Sequence, residues 1–446
     1  LDPFKKYFGD LFIPLRLYVA VGSCIILLVL AFFIKVLFPV ILFLFWILVF
    51  LVIADYIFLF FSKPPLVQRI ISDRLSNGDE NKVIIKIRNR MAFRVRMDVI
   101  DELPVQFQQR EFVMHKDFAP RQQKHMHYTV RPSSRGEYDF GDIRIYVRSL
   151  LGLVMRRHVS PQQTLVPVYP SYMQLRKYQL ITKSAVINEH GSKRMRKIGS
   201  SMEFEQIKDY VTGDDIRNVN WKATARTGLL MINNFVDEKS QQVYCIIDKG
   251  RLMKMPFNGL TLLDYAINST LVLTNVCLEK QDRIGLMTFS DKIGSVVPAD
   301  RKMVQREHIL QVLYRQQTSF YESDFEMLYT QVRNKIKQRS LLVLYTNFES
   351  LNGLKRQMNY LRSIARHHLL LVVFFENTEL QKLSQAEAHN IEDVYVKTIA
   401  GKFAFEKRLI VKELQKYGIL SILTSPQNLT INTVNKYLEL KSKQAL

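Results

Sequence analysis

The chain has 446 residues, 48% of them hydrophobic and 23% charged, with a formal net charge of +22, and that length exceeds what one core uses and points to two or three domains. Three cysteines without spacing partners argue against a zinc site or a disulfide framework, and Cys24, Cys245 and Cys277 read as small core residues. The basic excess invites a nucleic-acid reading. It is dispersed, however, and no nucleic-acid motif or aromatic-basic array accompanies it, so a domain tethered beside an anionic leaflet accounts for it better.

The first elements are apolar. Residues 17–34 and 36–61 are each long enough for a helix that crosses a bilayer, with Lys35 to Pro39 as the turn between them, so residues 1–63 are expected to form a transmembrane hairpin. A cleavable signal peptide is the alternative for the first run, but no small-residue cleavage site follows it and a second run comes at once. Lys5, Lys6 and Arg16 precede the hairpin, and most of the remaining Lys and Arg follow it. That asymmetry predicts both termini and the soluble domains on the cytoplasmic side.

Residues 67–170 alternate apolar with charged positions in short runs broken by Asn, Gly, Pro and Ser, the pattern of an immunoglobulin-like β-sandwich of about seven strands. His125 and His127 fall on one strand face. Without a third ligand nearby, they are expected to be solvated rather than metal-binding. Residues 171–198 read as a basic linker, polar and glycine-bearing.

Residues 199–240 form an arm that leads into the apolar run ending at Asp248. Met202, Phe204, Ile207 and Tyr210 have helical spacing, Thr212 to Asp215 break it, and Asp214 or Asp215 is placed to cap a second helix over Ile216 to Ala225. In that second helix Ile216, Val219 and Ala223 are expected to face inward with Trp221 beside them, and Gly228 ends it. From Leu229 the chain is extended.

This arm resembles the signature of the bacterial family known as domain of unknown function 58, carried here by Glu203, Phe204, Tyr210, Gly213, Asp214, Asp215, Arg217, Trp221, Thr224, Ala225 and Arg226. Acid, Arg and Trp groups around a tight turn suit an interdomain latch or a docking surface better than catalysis, because no nucleophile or second base stands beside them. The resemblance implies a membrane-anchored protein that works with an AAA+ ATPase of the MoxR type in chaperone, assembly or stress-tolerance roles at the bacterial inner membrane.

Residues 241–446 alternate buried-strand runs with helical stretches around 262–279, 303–315, 323–337, 353–366, 407–417 and 434–441, which predicts a doubly wound, mostly parallel α/β sheet. These runs resemble the von Willebrand factor type A fold. Asp248 stands where the metal-ion-dependent adhesion site of that fold begins Asp-x-Ser-x-Ser, but the serine positions are Gly250 and Leu252, and the threonine and later aspartate positions are Ser323 and Asn347. One carboxylate, one hydroxyl and one amide, with Thr346 or Asp324 in reserve, make a poor set for a hard cation, so weak Mg²⁺ binding or none is expected. No phosphate loop or nucleophile elbow occurs. The expectation is a non-enzymatic interaction protein, with a metal-dependent hydrolase or ligand-binding protein acting at Asp248 as the alternative.

Overall fold

The computed structural model describes residues 9–34, 37–109, 112–171, 203–211, 214, 216–236, 241–385, 387 and 390–443. Two units separate, residues 1–171 and 172–446. The linker expected over 171–198 lies outside the described residues except for Ser171, as do Gly213 and Asp215 of the signature.

The first unit begins with a short strand, β1 (Leu11–Phe12), and two apolar helices, α1 (Leu15–Phe33) and α2 (Phe38–Phe60). Pro39 sits in the first turn of α2, where its missing N–H would be unbonded anyway. Among the described residues α2 is the one helix long and apolar enough to cross a membrane. α1, the other expected span, is an apolar helix of 19 residues that rises about 28 Å at 1.5 Å per residue.

Ten strands follow: β2 (Leu66–Ile70), β3 (Leu75–Ser76), β4 (Asn81–Arg88), β5 (Val95–Asp101), β6 (Val113–Phe118), β7 (Gln123–Val130), β8 (Gly136–Phe140), β9 (Ile143–Arg148), β10 (Met155–Ser160) and β11 (Thr164–Tyr169). They pair as β1-β10-β9-β5-β6, β2-β4-β7 and β3-β11-β8 around one core that includes Val83, Ile85, Met97, Phe118 and Phe140. In β4 burial alternates residue by residue, so the period-2 pattern places one face inward. Seven strands were expected; polar turns break the sandwich into shorter pieces. Asn81, for example, takes the Ser76 amide at 2.8 Å and donates to the Ser76 carbonyl at 2.9 Å, which ends β3 after two residues. Leu59 and Phe60 belong to the same core, so the end of α2 is packed into the sandwich.

The second unit opens with a hairpin of β12 (Glu203–Asp209) and β13 (Met231–Val236), carrying a 3-10 turn at Ile216–Asn218 and the short helix α3 (Trp221–Thr227) between its arms. The predicted first helix is therefore a strand. Its spacing fits either period, and the antiparallel register from Glu203 opposite Val236 to Asp209 opposite Met231 decides for the extended form. The second predicted helix is also corrected, to a 3-10 turn followed by a later-starting helix. Asn220 caps that helix instead of Asp214 or Asp215, its Oδ1 accepting the Ala223 amide at 3.0 Å. The predicted glycine stop holds, because Gly228 adopts φ 71°.

The rest is a six-stranded sheet built from β14 (Gln242–Asp248), β17 (Arg283–Phe289), β18 (Ile293–Asp300), β19 (Leu341–Tyr345), β20 (Leu369–Phe375) and β21 (Leu420–Thr424), with a small ribbon of β15 (Pro256–Phe257) and β16 (Leu260–Thr261) beside it. The order is β18-β17-β14-β19-β20-β21; β18 runs antiparallel to β17 and the other pairs are parallel. This is the doubly wound arrangement expected. The edge strand β18 was missed, since its run of Gly, Ser, Pro and Asp carries little apolar signal.

The helices are α4 (Leu262–Glu279), α5 (Val304–Tyr314), α6 (Phe325–Lys335), α7 (Leu351–Ala365), α8 (Thr378–Gln385), α9 (Ile391–Lys416) and α10 (Leu429–Ser442). α4 is buried nearly all round, with Asn268, Ser269, Thr270, Thr274 and Asn275 buried among its apolar residues. Two predicted helices were too short: 407–417 is the end of the 26-residue α9, and 434–441 lies inside α10.

Candidate functional site

The sheet order reverses between β14 and β19, and in open α/β sheets that switch point leaves a crevice at the carboxyl ends of the strands. Asp248 ends β14 there and is 3% exposed. Its Oδ2 accepts a hydrogen bond from Thr346 Oγ1 at 2.6 Å, and its Oδ1 accepts the Gly250 amide at 2.8 Å and the Ser323 hydroxyl. Burial pushes the Asp248 carboxyl above its ordinary range, against the pull of those three donors. Gly250 permits the close approach: a Cβ there would stand 2.0 Å from Ser323 Oγ. Ser323 also borders an open depression of about 450 Å³ whose rim carries Asp291, Glu322, Asp324 and Arg356.

Two of the three proposed metal-site residues thus meet, and Thr346, held in reserve, joins them. Asn347 does not. Its Oδ1 accepts from Lys407 Nζ at 2.7 Å, on α9, and burial lowers that amine to about 8. A von Willebrand A-type cation would find one carboxylate already engaged by three donors and a glycine where a hydroxyl is needed. Its later acidic position is an amide tied to an ammonium. A hard divalent ion prefers several oxygens, preferably charged, so these residues do not fit it. Among the described residues no group of three or more His, Cys, Asp or Glu is arranged to hold a metal, and His125 and His127 both lie on the exposed side of β7, as expected. Cys245 and Cys277 are buried, as expected; burial pushes the Cys245 thiol up to about 12 and raises that of Cys277, so neither is a nucleophile at neutral pH.

The signature residues divide into ties and surface. Thr224 Oγ1 donates to the Asn220 carbonyl at 2.9 Å and accepts the Met231 amide at 3.0 Å, and Asn220 Nδ2 donates to Asn233 Oδ1 at 2.8 Å, so α3 is bound to β13. Asn220 was missed in the sequence, although an Asn directly before a helical run is an N-cap signal. Asp214 accepts from Lys208 at 3.0 Å and from the Val211 amide at 3.1 Å, and the Lys208 ammonium holds its carboxyl below the usual range. The predicted inward face is corrected at two positions: Val219 and Ile232 are buried, but Ile216 and Trp221 are 67% and 70% exposed. Arg217 and Arg226 are exposed, and Tyr210 is half-buried with its amide on the Leu230 carbonyl.

Residues 206–402 match the family described as "Protein of unknown function DUF58". The chain carries a DUF58 domain. That domain takes in the signature from Tyr210 to Arg226 and the strand-end face from Asp248 to Asn347. The uncharacterized protein YeaD of Bacillus subtilis (strain 168) is 25% identical over 186 residues, 40% of this chain and 45% of that protein, so the match spans less than half of the relative's length. Among solved structures, the conserved hypothetical protein BatB from Bacteroides thetaiotaomicron is similar over 46% of this chain and 99% of its own, with 9% identity and a TM-score of 0.30. A CARDB domain from Pyrococcus furiosus is similar over 24% of this chain and 90% of its own, with 12% identity and a TM-score of 0.16.

Proposed function

We propose that this protein is a non-enzymatic, membrane-anchored interaction or scaffold protein whose DUF58 domain receives a protein partner, an AAA+ ATPase of the MoxR type. It would act in chaperone, assembly or stress-tolerance work at the bacterial inner membrane. The observation that carries this reading is the apolar surface left in water at the turn end of the signature hairpin, where Val211, Ile216, Trp221 and Leu229 are all more than 60% exposed beside the exposed Arg226. Aromatic and Arg side chains on an apolar ground are the composition of interface hot spots. In this reading the sheet carries a von Willebrand A-like head, and the pair α1 and α2 spans the bilayer as a hairpin with the soluble units in the cytoplasm. Attachment of both β1 and the end of α2 to one sandwich supports a common side for those two helix ends. The hydrolase alternative is disfavoured by Asn347, which is turned to Lys407 rather than to Asp248.

The test uses the full chain in lipid nanodiscs and a MoxR-type ATPase from the same organism, with and without ATP. Saturable association is expected, weakened about tenfold by Trp221→Ala with the melting temperature unchanged. No association under either condition, or equal association of the variant, sinks the docking reading. For topology, a Lys35→Cys variant should react with an impermeant thiol reagent from outside intact cells and a Ser192→Cys variant should not; the reverse pattern overturns the cytoplasmic placement.

A further inference from the structure

Within the first unit the sandwich and the helices are joined by more than chain continuity. β1 runs antiparallel to β10, with Leu11 opposite Arg156 and Phe12 opposite Met155, and the chain enters α1 at Leu15. Followed backwards from Met155, β10 continues into the turn 149–154, so this turn projects the way α1 leaves the sheet, alongside the helices. Two contacts hold it there. Asp55 Oδ2 accepts the Leu153 and Val154 amides, each at 3.0 Å, and Asp55 lies about 7.5 Å up α2 from Phe60 at 1.5 Å per residue. Gly152, at φ 65°, lies so close to Arg16 that a Cβ would stand 3.2 Å from its guanidinium.

The turn so braced points apolar side chains outward. Ser149 Oγ accepts the Leu151 and Gly152 amides at 3.1 and 3.3 Å, while Leu150 and Leu151 are 71% and 44% exposed. A second loop, 89–94, reaches the same helix, where Phe93 meets Phe58 edge-on with 6.0 Å between ring centroids. Arg90 on that loop is exposed, as is Arg16.

Resting on the reading that α2 crosses a bilayer, we propose that this rim of the sandwich is seated in the membrane interface. Leu150 and Leu151 enter the acyl boundary, and Arg16 and Arg90 meet lipid phosphates. Lipid is the occupant because the two leucines prolong the exposed apolar surface of the helices they are braced against, and because exposed cations border them, as in interfacial elements generally. The sandwich is then a platform held at a fixed depth and tilt.

The protein has two tryptophans, Trp46 in α2 and Trp221, which makes fluorescence quenching a direct test. Full-length protein is placed in phosphatidylcholine–phosphatidylglycerol vesicles whose acyl chains carry bromine either near the carbonyl or near the methyl end. With Trp221→Phe alone, quenching of Trp46 reports whether α2 is in the bilayer. With Trp46→Phe, Trp221→Phe and Leu150→Trp together, emission is expected to fall about twofold with shallow bromine and less with deep bromine, the depth at which tryptophan settles. If Trp46 is quenched and the Leu150→Trp protein is not, the rim proposal fails while the spanning helix stands. If neither is quenched, both fail. Stronger quenching by deep than by shallow bromine would overturn the interfacial seat.

Discussion

Asp55 and Val154, 99 positions apart, are joined by a 3.0 Å hydrogen bond from the Val154 amide to the Asp55 carboxylate, with the Leu153 amide on the same oxygen. An acid inside an apolar helix invites a functional reading; this one fastens the helix to the sandwich, aided by Arg156, which donates to the Leu59 and Phe60 carbonyls at 2.8 and 3.0 Å. Asp55→Ala leaves two amides without their acceptor and should cost about 2–4 kcal/mol, whereas Asp55→Asn keeps an acceptor and should cost about 1 kcal/mol or less. Unfolding of the full chain in detergent measures both. An Asp55→Ala protein that melts like the wild type would mean that the junction is not rigid.

At the strand-end face, millimolar Mg²⁺ should leave the melting temperature unchanged in the wild type and in Asp248→Asn. A cation bound only to the native state must stabilise it, so a wild-type rise that the variant loses would establish an occupied site. The same pair tests the buried charge. Because folding raises the Asp248 carboxyl, the native state binds more protons above the unfolded value, and acidification from neutrality favours folding through this group. The melting temperature of the wild type relative to Asp248→Asn should therefore rise between pH 7 and pH 5, and a flat difference counts against a perturbed carboxyl.

Lys407 titrates the other way. Its amine is lowered to about 8 in the folded protein, so between there and the ordinary lysine value of about 10.4 the unfolded chain binds more protons, and stability contributed by this residue rises with pH. Lys407→Gln, which keeps a donor for Asn347, should remove that rise. Denaturant titrations at pH 7.5, 8.5 and 9.5 measure it, and parallel curves for the two proteins would show that the amine titrates as in water.

The signature hairpin separates surface from core. Trp221→Ala should change stability by about 0.5 kcal/mol or less, since the ring is 70% exposed. Ile232→Ala, at a buried position on β13, should cost about 2–4 kcal/mol. If Trp221→Ala is the more damaging, the ring is covered within the folded protein and its role is structural.

The order of the architecture was legible in the chain. Long apolar runs, period-2 alternation and short buried-strand runs between helices are local signals, and they placed the long apolar helix, the sandwich and the doubly wound sheet, along with Gly228 as a helix stop and Asp248 at a strand end. What local signals could not decide was anything set by a partner strand or a distant side chain. The spacing of Phe204, Ile207 and Tyr210 fits a helix until β13 offers Glu203–Asp209 a ladder, and the extended form then satisfies more backbone hydrogen bonds. Asp55 reads as an interruption in an apolar helix until the Leu153 and Val154 amides are brought to it. Asn347 follows Thr346 directly and looked like its companion at one site. The Thr346 hydroxyl reaches Asp248 while the Asn347 amide reaches Lys407 on a helix sixty positions on. Adjacent positions at a strand end send their side chains to opposite faces of the sheet, and only the packed structure shows what waits on each face.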